Sequence, residues 1–337
     1  MEGLEVNWRG KNVFITGANG FIGSWLANDL IEKKANVTAV VLDPNEHGNL
    51  KILNLQNKLK IVNGDLADEN IVNKIFKENE FDSVFHLAAQ AIVSVANNDP
   101  IPTFKSNIEG TWNLMEACRN SDSIERIVVA SSDKAYGEHK KLPYKEDASL
   151  LPKYPYDVSK ACADLIARSY FFTYSLPVAI TRCANIYGPA DMNFSRIVPD
   201  MISSILKNKT PVIRSNGTPE RDYLFVKDAV SGYLVIAENL DKKEVQGEVF
   251  NIGNEKPVKV IDLFNKIAEM SGKADLKPEI LGKGKLKGEI DRQFLDVAKI
   301  KNLLNWKAKV SLEEGLNETI RWYKENETFW IDLIKTN

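Results

Sequence analysis

Thr16-Gly17-Ala18-Asn19-Gly20-Phe21-Ile22-Gly23 is the stretch of sequence that decides the fold. An apolar run, residues 11–16, precedes it, and a stretch with helical periodicity, residues 21–34, follows it. Gly17 permits a tight turn, Gly20 lets backbone N–H groups approach a pyrophosphate, and Gly23 lets the helix pack close to the strand. The helix N-terminus then presents its positive dipole end to the anion. The stretch therefore predicts a dinucleotide-binding turn.

Apolar runs rich in Val and Ile alternate with helical stretches along the first half of the chain. The predicted strands are residues 11–16, 37–42, 59–62, 83–86, 126–130 and 178–181, and the predicted helices are residues 21–34, 70–78, 102–119 and 156–174. Strands that are apolar throughout are typical of a sheet covered on both faces. We therefore predict an α/β fold with a Rossmann doubly wound parallel sheet.

The second half of the chain has a looser pattern, with more Pro, Gly and Lys. It predicts a smaller C-terminal α/β lobe for the substrate, with residues 1–188 in the dinucleotide-binding domain, residues 189–337 in the lobe and some crossing of the chain between them. A strand is predicted at residues 247–252 and a solvated loop at residues 282–288.

Asp43 lies about 20 residues beyond the glycine turn, at the end of the second predicted strand. An acidic side chain there can accept hydrogen bonds from both ribose hydroxyls and repels a 2′-phosphate, which favours NAD over NADP. A turn residue before Pro44 is the alternative interpretation of Asp43. The full set of predicted cofactor-binding residues is Gly17, Asn19, Gly20, Phe21, Ile22, Gly23, Asp43, Asp65, Leu66, Leu87, Ala88, Ala89, Tyr156 and Lys160.

A candidate catalytic set follows the fifth predicted strand. Ser132 lies at the end of that strand, and Tyr156 and Lys160 share one face of a predicted helix because they are four residues apart. A phenol is a poor base at neutral pH, and we expect the Lys160 ammonium to favour its phenolate. The pair can then take a proton from a sugar hydroxyl while hydride leaves the same carbon.

Four motifs together carry a resemblance to a known family. They are the glycine turn at residues 16–23, Ser-Ser-Asp-Lys-Ala-Tyr-Gly at residues 131–137, the Tyr156/Lys160 pair and Arg-Cys-Ala-Asn-Ile-Tyr-Gly-Pro at residues 182–189. In this order they resemble the extended short-chain dehydrogenase/reductase family of NAD-dependent nucleotide-sugar epimerases and dehydratases. The resemblance implies that Asn185, Arg196, Arg221 and Arg292 contact a nucleotide diphosphate, and guanidinium groups suit phosphate oxygens. It also implies a homodimer formed through a helix bundle.

Asp133 and Lys134 bear on which reaction follows oxidation at C4 of the sugar. A 4,6-dehydratase needs an acid for the departing C6 hydroxyl and a base for the C5 proton. Asp133 fits the acid, and Lys134 can be the base if desolvation lowers its pKa. The Asp-Lys pair resembles the CDP-glucose 4,6-dehydratase branch, where the family's common dehydratases carry Asp-Glu. If Lys134 is only a charge partner for Asp133, a UDP-hexose or UDP-N-acetylhexosamine 4-epimerase is the alternative.

Composition and charge exclude several other classes. The formal net charge of -2 gives no basic face for nucleic acid, and no apolar run reaches the length of a membrane span. The three cysteines are spaced as reduced core thiols, and the three histidines do not approach the spacing of metal ligands, so we expect no catalytic metal. We expect a cytoplasmic protein. A non-catalytic NAD(H)-binding protein on the same fold remains a further alternative.

Overall fold

The computed structural model describes residues 6–43, 48–282 and 290–336, with side chains described to residue 331. Its strands are β1 (Asn12–Thr16), β2 (Asn36–Val41), β3 (Lys60–Asn63), β4 (Ser83–His86), β5 (Arg126–Ala130), β6 (Val178–Cys183), β7 (Asn185–Tyr187), β8 (Val212–Ile213), β9 (Glu220–Phe225), β10 (Val249–Ile252), β11 (Pro257–Lys259), β12 (Glu279–Ile280) and β13 (Arg292–Gln293). Its α-helices are α1 (Phe21–Glu32), α2 (Asn49–Ile52), α3 (Glu69–Glu78), α4 (Val93–Asn98), α5 (Pro100–Phe104), α6 (Gly110–Arg119), α7 (Pro155–Tyr174), α8 (Ile197–Leu206), α9 (Val226–Glu238), α10 (Val260–Met270), α11 (Ala298–Leu304), α12 (Leu312–Glu325) and α13 (Glu327–Thr336).

Seven parallel strands form the large sheet, in the order β10-β6-β5-β4-β1-β2-β3. The order reverses between β1 and β4, and a ligand crevice opens at such a reversal, at the carboxyl ends of the strands. Except in the edge strand β3, residues on both faces of these strands are buried, which explains why their sequences are apolar without alternation. The predicted Rossmann sheet is confirmed, and its strands lie within two residues of the predicted bounds.

A second group of strands lies beyond the large sheet. β9 pairs with β7, β11 and β13, and β8 pairs with β12. These strands share an apolar core with α8, α10, α12 and α13, separate from the cores on the two faces of the large sheet. The chain crosses between the two groups, since β10 pairs with β6 at the edge of the large sheet. The strand predicted at residues 247–252 therefore exists, but it belongs to the large sheet and not to the lobe.

The helix predicted over residues 102–119 is divided into three parts. α5 and α6 are separated by a π-helical turn, Lys105–Glu109. π-Helical turns inside α-helices occur often at functional sites, because the extra residue redirects one side chain. The loop predicted at residues 282–288 falls almost entirely outside the described residues.

A buried ion pair fastens α7 to β6. The Arg182 guanidinium donates to both carboxylate oxygens of Asp164, at 2.8 and 3.1 Å, and both side chains are almost fully buried. Arg182 also lies over the ring of Tyr136, 4.6 Å from its centroid. These contacts fix the helix that carries Tyr156 against the sheet.

We expect Asp164→Asn to lower the free energy of unfolding by about 3–5 kcal/mol, because it leaves the Arg182 charge buried without its partner. Denaturant titration followed by circular dichroism measures this loss. Glu78→Gln is the matched control: it breaks the exposed Lys74–Glu78 pair, and we expect a change below about 0.5 kcal/mol. Equal effects of the two substitutions would contradict the structural role of the Arg182–Asp164 pair.

Candidate active site

The glycine turn lies where the order of the large sheet reverses. Gly17 has a φ of 74°, and a Cβ atom on it would come within 2.7 Å of the backbone of Leu87 and Ala88. A Cβ atom on Gly23 would come within 2.2 Å of the Gly17 carbonyl oxygen. α1 begins directly after Gly20, with no acidic residue in its first turn and no side-chain cap in the described structure. Its first N–H groups therefore face the crevice and suit an anion.

The other predicted cofactor residues surround this turn. Asn19 joins it to α2, because its Oδ1 atom accepts from the Leu50 N–H at 3.3 Å. Asp43 is exposed two residues beyond β2, and Asp65 is exposed two residues beyond β3. Leu66 is buried under α6, and its carbonyl oxygen accepts from the Asn113 amide at 2.9 Å. All four positions lie beyond carboxyl ends of strands, as the sequence predicted, and their contacts with a cofactor stay a prediction.

His86 is a structural residue under the crevice. Its Nδ1 atom lies 2.7 Å from the Thr16 hydroxyl, and its Nε2 atom lies 2.9 Å from the Thr111 hydroxyl. Thr111 donates to the Asn107 carbonyl oxygen, so it accepts from His86 Nε2–H and leaves Nδ1 as the acceptor for Thr16. Burial, together with the charge of Lys160, lowers the pKa of His86 to about 3. The ring is therefore neutral and orders the backbone beside Gly17.

Tyr156 and Lys160 lie on the first turns of α7. The Lys160 ammonium donates to the Ala130 carbonyl oxygen at 2.7 Å. Burial lowers the pKa of Lys160 to about 8 and raises the pKa of Tyr156 to about 12. The low pKa expected for the phenol is not found in this structure, because burial raises it, and the stabilisation of the phenolate by Lys160 stays a prediction. Arg196 is the cation that lowers the pKa of Tyr156, although burial has the larger effect and raises it.

Ser132 connects the phenol to a buried carboxyl group. Its hydroxyl donates to Asp133 Oδ1 at 3.1 Å, and its proximity to Tyr156 lowers the pKa of the phenol, against the larger effect of burial. Asp133 is 2% exposed, and burial raises its pKa. Its Oδ2 atom has no hydrogen-bond partner among the described residues. A buried carboxyl group with a raised pKa is suited to donate a proton to a ligand.

Lys134 is held by a residue that sequence reasoning did not identify. Its ammonium donates to the Oε1 atom of Gln293, on β13, at 2.6 Å. Gln293 is fully buried, and its Nε2 atom has no hydrogen-bond partner in the described part of the chain. Asp157, which follows Tyr156, was also missed: it is 8% exposed, and burial raises its pKa to about 6. Neither residue carries a sequence signal, because each becomes part of the site only through tertiary packing.

The π-helical turn supports the same site. Its buried Asn107 accepts from the Gln90 N–H at 2.7 Å and donates to the Ser159 hydroxyl at 2.8 Å. Ser159 donates in turn to the Tyr156 carbonyl oxygen at 2.7 Å. Asn107 therefore ties the loop after β4 to the first turn of α7. A helical pattern in the sequence could not reveal this, since it does not distinguish a π turn from an α turn.

The four predicted diphosphate contacts divide into two groups. Arg196 pairs with Asp191 at 3.0 Å and lies over the Phe21 ring, 5.8 Å from its centroid, so it is beside the glycine turn. The other three lie on the β7-β9-β13 strands: Asn185 donates to the Asp222 carbonyl oxygen at 3.3 Å, while Arg221 and Arg292 are on paired strands. Arg292 is exposed and forms an ion pair with Glu220 at 2.8 Å.

No group of three His, Cys, Asp or Glu side chains among the described residues is placed to hold a metal ion. None of the described helices is both long enough and apolar enough to cross a membrane.

Known proteins share this fold. A family model described as GDP-mannose 4,6 dehydratase matches residues 14–319. A trifunctional UDP-glucose 4,6-dehydratase/UDP-4-keto-6-deoxy-D-glucose 3,5-epimerase/UDP-4-keto-L-rhamnose-reductase of Arabidopsis thaliana is 35% identical over 333 residues, which cover 97% of this chain and 49% of the plant protein. The chain thus spans about half the length of this relative.

Two solved structures superpose on nearly the whole chain. A dTDP-glucose 4,6-dehydratase from Bacillus anthracis, in complex with NAD, has a TM-score of 0.85 and 30% identity, covering 96% of this chain and 100% of the other. A UDP-glucose 4-epimerase from Thermotoga maritima, with UDP-glucose, has a TM-score of 0.85 and 32% identity, covering 94% of this chain and 99% of the other. The chain belongs to the family of NAD-dependent nucleotide-sugar epimerases and dehydratases. The family predicted from the sequence is confirmed.

We expect Gly17→Ala to destabilise the fold more than Gly10→Ala. Both glycines have positive φ, which costs alanine about 1–2 kcal/mol. An added Cβ atom meets nothing within 4 Å at Gly10 but meets the β4 strand end at Gly17, where overpacking adds about 1–3 kcal/mol. Denaturant titration of both variants measures the difference, and equal losses would show that the close approach of Gly17 to Ala88 is not a constraint.

Proposed function

We propose that the chain is an NAD-dependent nucleotide-sugar 4,6-dehydratase that acts through a 4-keto-hexose intermediate. The buried Asp133 carboxyl group carries this proposal. It accepts a hydrogen bond from Ser132, a residue close enough to Tyr156 to act on the pKa of the phenol. Simple 4-epimerisation has no leaving group to protonate, whereas dehydration needs an acid next to the oxidation site.

The crevice at the glycine turn fits NAD. The first N–H groups of α1 suit the pyrophosphate, and Gly17 and Gly23 leave no room for side chains where the turn, α1 and β4 meet. When bound, NAD takes up hydride from C4 of the sugar and returns it at C6. The residues proposed to hold it are Gly17, Asn19, Gly20, Phe21, Ile22, Gly23, Asp43, Asp65, Leu66, Leu87, Ala88, Ala89, Tyr156 and Lys160.

In the proposed reaction Tyr156 accepts the proton of the C4 hydroxyl and Ser132 positions that hydroxyl. The raised pKa of the phenol means that the chain alone does not make Tyr156 a base at neutral pH. The Lys160 and Arg196 cations are the groups of the chain that can stabilise the phenolate as it forms. Tyr156 thus receives its proton in the same step in which hydride leaves C4.

The nucleotide diphosphate is proposed to lie between the large sheet and the β7-β9-β13 strands. Arg196 on one side and Asn185, Arg221 and Arg292 on the other present amide and guanidinium donors of the kind that bind phosphate. We propose that the division into a domain of residues 1–188 and a lobe of residues 189–337 corresponds to NAD binding and sugar-nucleotide binding, with α9 and β10 crossing back to the sheet.

A nucleotide-sugar 4-epimerase is the second candidate. The similarity to the Thermotoga maritima epimerase, at 32% identity, supports it. The contact between Lys134 and Gln293 also supports it, because a lysine held by an amide can be a purely structural charge. Both candidates share the oxidation at C4 and differ only in what Asp133 and its neighbours do afterwards.

Incubation with UDP-glucose, dTDP-glucose, CDP-glucose and GDP-mannose tests the proposal. We expect at least one of them to give a 4-keto-6-deoxy product, detected by its alkaline absorbance. Tyr156→Phe should lower the rate of product formation by about 10²–10⁴-fold, because it removes the proton acceptor. Tyr174→Phe, on the exposed part of α7, should leave this rate unchanged. An isomeric product without a ketone would favour the epimerase, and an active Tyr156→Phe would contradict both candidates.

We also propose that the protein is a homodimer through α6 and α7. These helices pack together and leave Trp112, Leu165 and Phe172 exposed, by 43%, 53% and 69%. Large apolar side chains grouped on the surface are typical of interfaces. The paired helices of two copies would form a four-helix bundle, as the sequence resemblance implied.

Substitution of Phe172 tests this dimer. We expect Phe172→Glu to convert the protein to a monomer at micromolar concentration, because it places a charge in an apolar interface. Leu303→Glu, on α11 and also partly exposed, should leave the mass of the dimer unchanged. Sedimentation velocity measures both variants, and an unchanged mass for Phe172→Glu would place any interface elsewhere.

We propose the cytoplasm as the compartment, on the basis of the thiols. Cys118, Cys162 and Cys183 are free, and Cys118 and Cys183 are buried. Burial raises the pKa of Cys118, and it raises the pKa of Cys183 to about 11. Both thiols are thereby kept protonated, as expected of core residues in a reducing environment.

A further inference from the structure

One short segment of the chain is fastened to both halves of the site. Residues 189–191 come shortly after β7 and lead to Arg196, the residue before α8. Each of their three carbonyl oxygens accepts a hydrogen bond from a side chain of a different helix. The donors are Trp25 of α1 to Pro189 at 2.9 Å, Asn49 of α2 to Ala190 at 2.5 Å, and Tyr323 of α12 to Asp191. The segment is thus tied to the cofactor half through α1 and α2 and to the lobe through α12.

Asn49 joins this segment to the glycine turn. Its backbone N–H donates to the Asn19 carbonyl oxygen at 3.0 Å, and the N–H of the next residue, Leu50, donates to Asn19 Oδ1 at 3.3 Å. A Cβ atom on Gly48 would come within 2.0 Å of the Asn19 side chain, so the start of α2 lies directly against the turn. Asn49 is 6% exposed. Its backbone therefore binds the turn while its side chain binds Ala190.

The same segment sets the position of Arg196. The Arg196 Nη1 atom donates to Asp191 Oδ1 at 3.0 Å, and the guanidinium lies over the ring of Phe21, the first residue of α1. The Asn193 N–H also donates to Asp191 Oδ1, at 3.2 Å. A displacement of residues 189–191 would therefore move Arg196 away from the glycine turn.

The backbone of the segment is held in an unfavourable conformation. Ala190 has a φ of 65°, in the left-handed region that is costly for a residue with a Cβ atom, and it is fully buried. Such a conformation persists only where the surrounding contacts fix it. Loss of the Asn49 donor removes one of these contacts and takes the partner from a buried carbonyl oxygen. The conformation of the segment therefore depends on Asn49.

We propose that Asn49 is a positioning residue that couples the binding of the cofactor to the binding of the nucleotide. It holds residues 189–191 against Asn19 and so keeps Arg196 beside the glycine turn. NAD at the turn and a nucleotide diphosphate at Arg196 then each strengthen the binding of the other. This inference rests on the proposed nucleotide-sugar function, and it assigns a role to a residue outside the predicted cofactor and substrate sets.

The coupling follows from one conformation that serves two sites. A ligand shifts an equilibrium only as far as it prefers one of the two states. NAD favours the ordered turn to which Asn49 is hydrogen-bonded, and the diphosphate favours the position of Arg196 that the segment sets. Each ligand therefore stabilises the docked segment for the other, and the effect is reciprocal. Because both ligands are anions and repel one another directly, their mutual strengthening has to come from the protein.

This coupling suits a reaction in which hydride leaves a sugar and returns to it. Hydride taken from C4 has to be given back to the same molecule, so the cofactor has to stay bound between the two transfers. A cofactor that binds more tightly while the nucleotide is in place meets this requirement.

A purely structural role is the competing explanation for Asn49. Under that explanation its hydrogen bonds only stabilise the fold. Their removal then lowers the thermal stability and weakens the binding of both ligands, but the ratio of the affinities measured with and without the second ligand stays the same. The proposed role predicts that this ratio itself is lost.

Isothermal titration calorimetry with NADH, alone and with saturating UDP, dTDP, CDP or GDP, separates the two roles. We expect at least one nucleotide to lower the Kd of NADH for the wild-type protein by about fivefold or more. Asn49→Asp, which has the same size but lacks the side-chain N–H donor, and Asn49→Ala should bring this ratio to about one. Asn49→Gln keeps a donor and should keep part of the ratio. Trp25→Phe removes the hydrogen bond to Pro189 and should lower the ratio independently.

Reciprocity and a control variant complete the test. NADH should lower the Kd of the same nucleotide by the same factor. Asn28→Asp, which breaks an exposed hydrogen bond to Glu32 within α1, should leave the ratio unchanged. The inference is overturned if the wild-type ratio is about one although both ligands bind, if Asn49→Asp and Asn49→Ala keep the wild-type ratio, or if Asn28→Asp loses it equally. A wild-type protein that binds no NADH, or none of the four nucleotides, overturns the proposed function, and this inference with it.

Discussion

The hydrogen bond from the Lys160 ammonium to the Ala130 carbonyl oxygen is the interaction on which the site depends. At 2.7 Å it joins the start of α7 to the end of β5, and burial of the ammonium lowers its pKa to about 8. A buried cation is costly unless it is hydrogen-bonded, so the helix cannot move away from the strand without leaving this group unsatisfied. The bond keeps Tyr156 close to Ser132, and the Asn107–Ser159 contact fixes the same turn from the other side.

Buried carboxyl groups with raised pKa values are the second feature of the site. Asp133, Asp157 and Asp222 are each less than one-tenth exposed, and burial raises the pKa of all three. Asp222 is satisfied by backbone N–H groups of Asn254 and Glu255, which makes it structural. Asp133 accepts from the Ser132 hydroxyl through Oδ1, but its Oδ2 atom has no partner among the described residues and can accept from a substrate. The difference in hydrogen bonding, and not the extent of burial, separates a carboxyl group that shapes a loop from one that can exchange a proton.

The sequence was sufficient for the parts of the fold that local patterns determine. The glycine turn, the apolar strands and the helix that begins near Tyr156 were predicted close to their bounds, because glycine spacing and periodicity are properties of neighbouring residues. Gln293 and Asp157 could not be predicted, since their roles arise from packing between distant elements. The low pKa expected for Tyr156 was not found for the same reason: helix periodicity placed Tyr156 and Lys160 on one face but could not show that burial raises the pKa of the phenol.

The fate of the C4 hydrogen tests the central claim most directly. A nucleotide hexose labelled with deuterium at C4 can be converted by the wild-type protein and analysed by NMR. If oxidation at C4, loss of water and return of hydride occur in one crevice, the deuterium should appear on the C6 methyl group of the product. Deuterium that remains at C4, whether the sugar is unchanged or inverted, would contradict the dehydratase account.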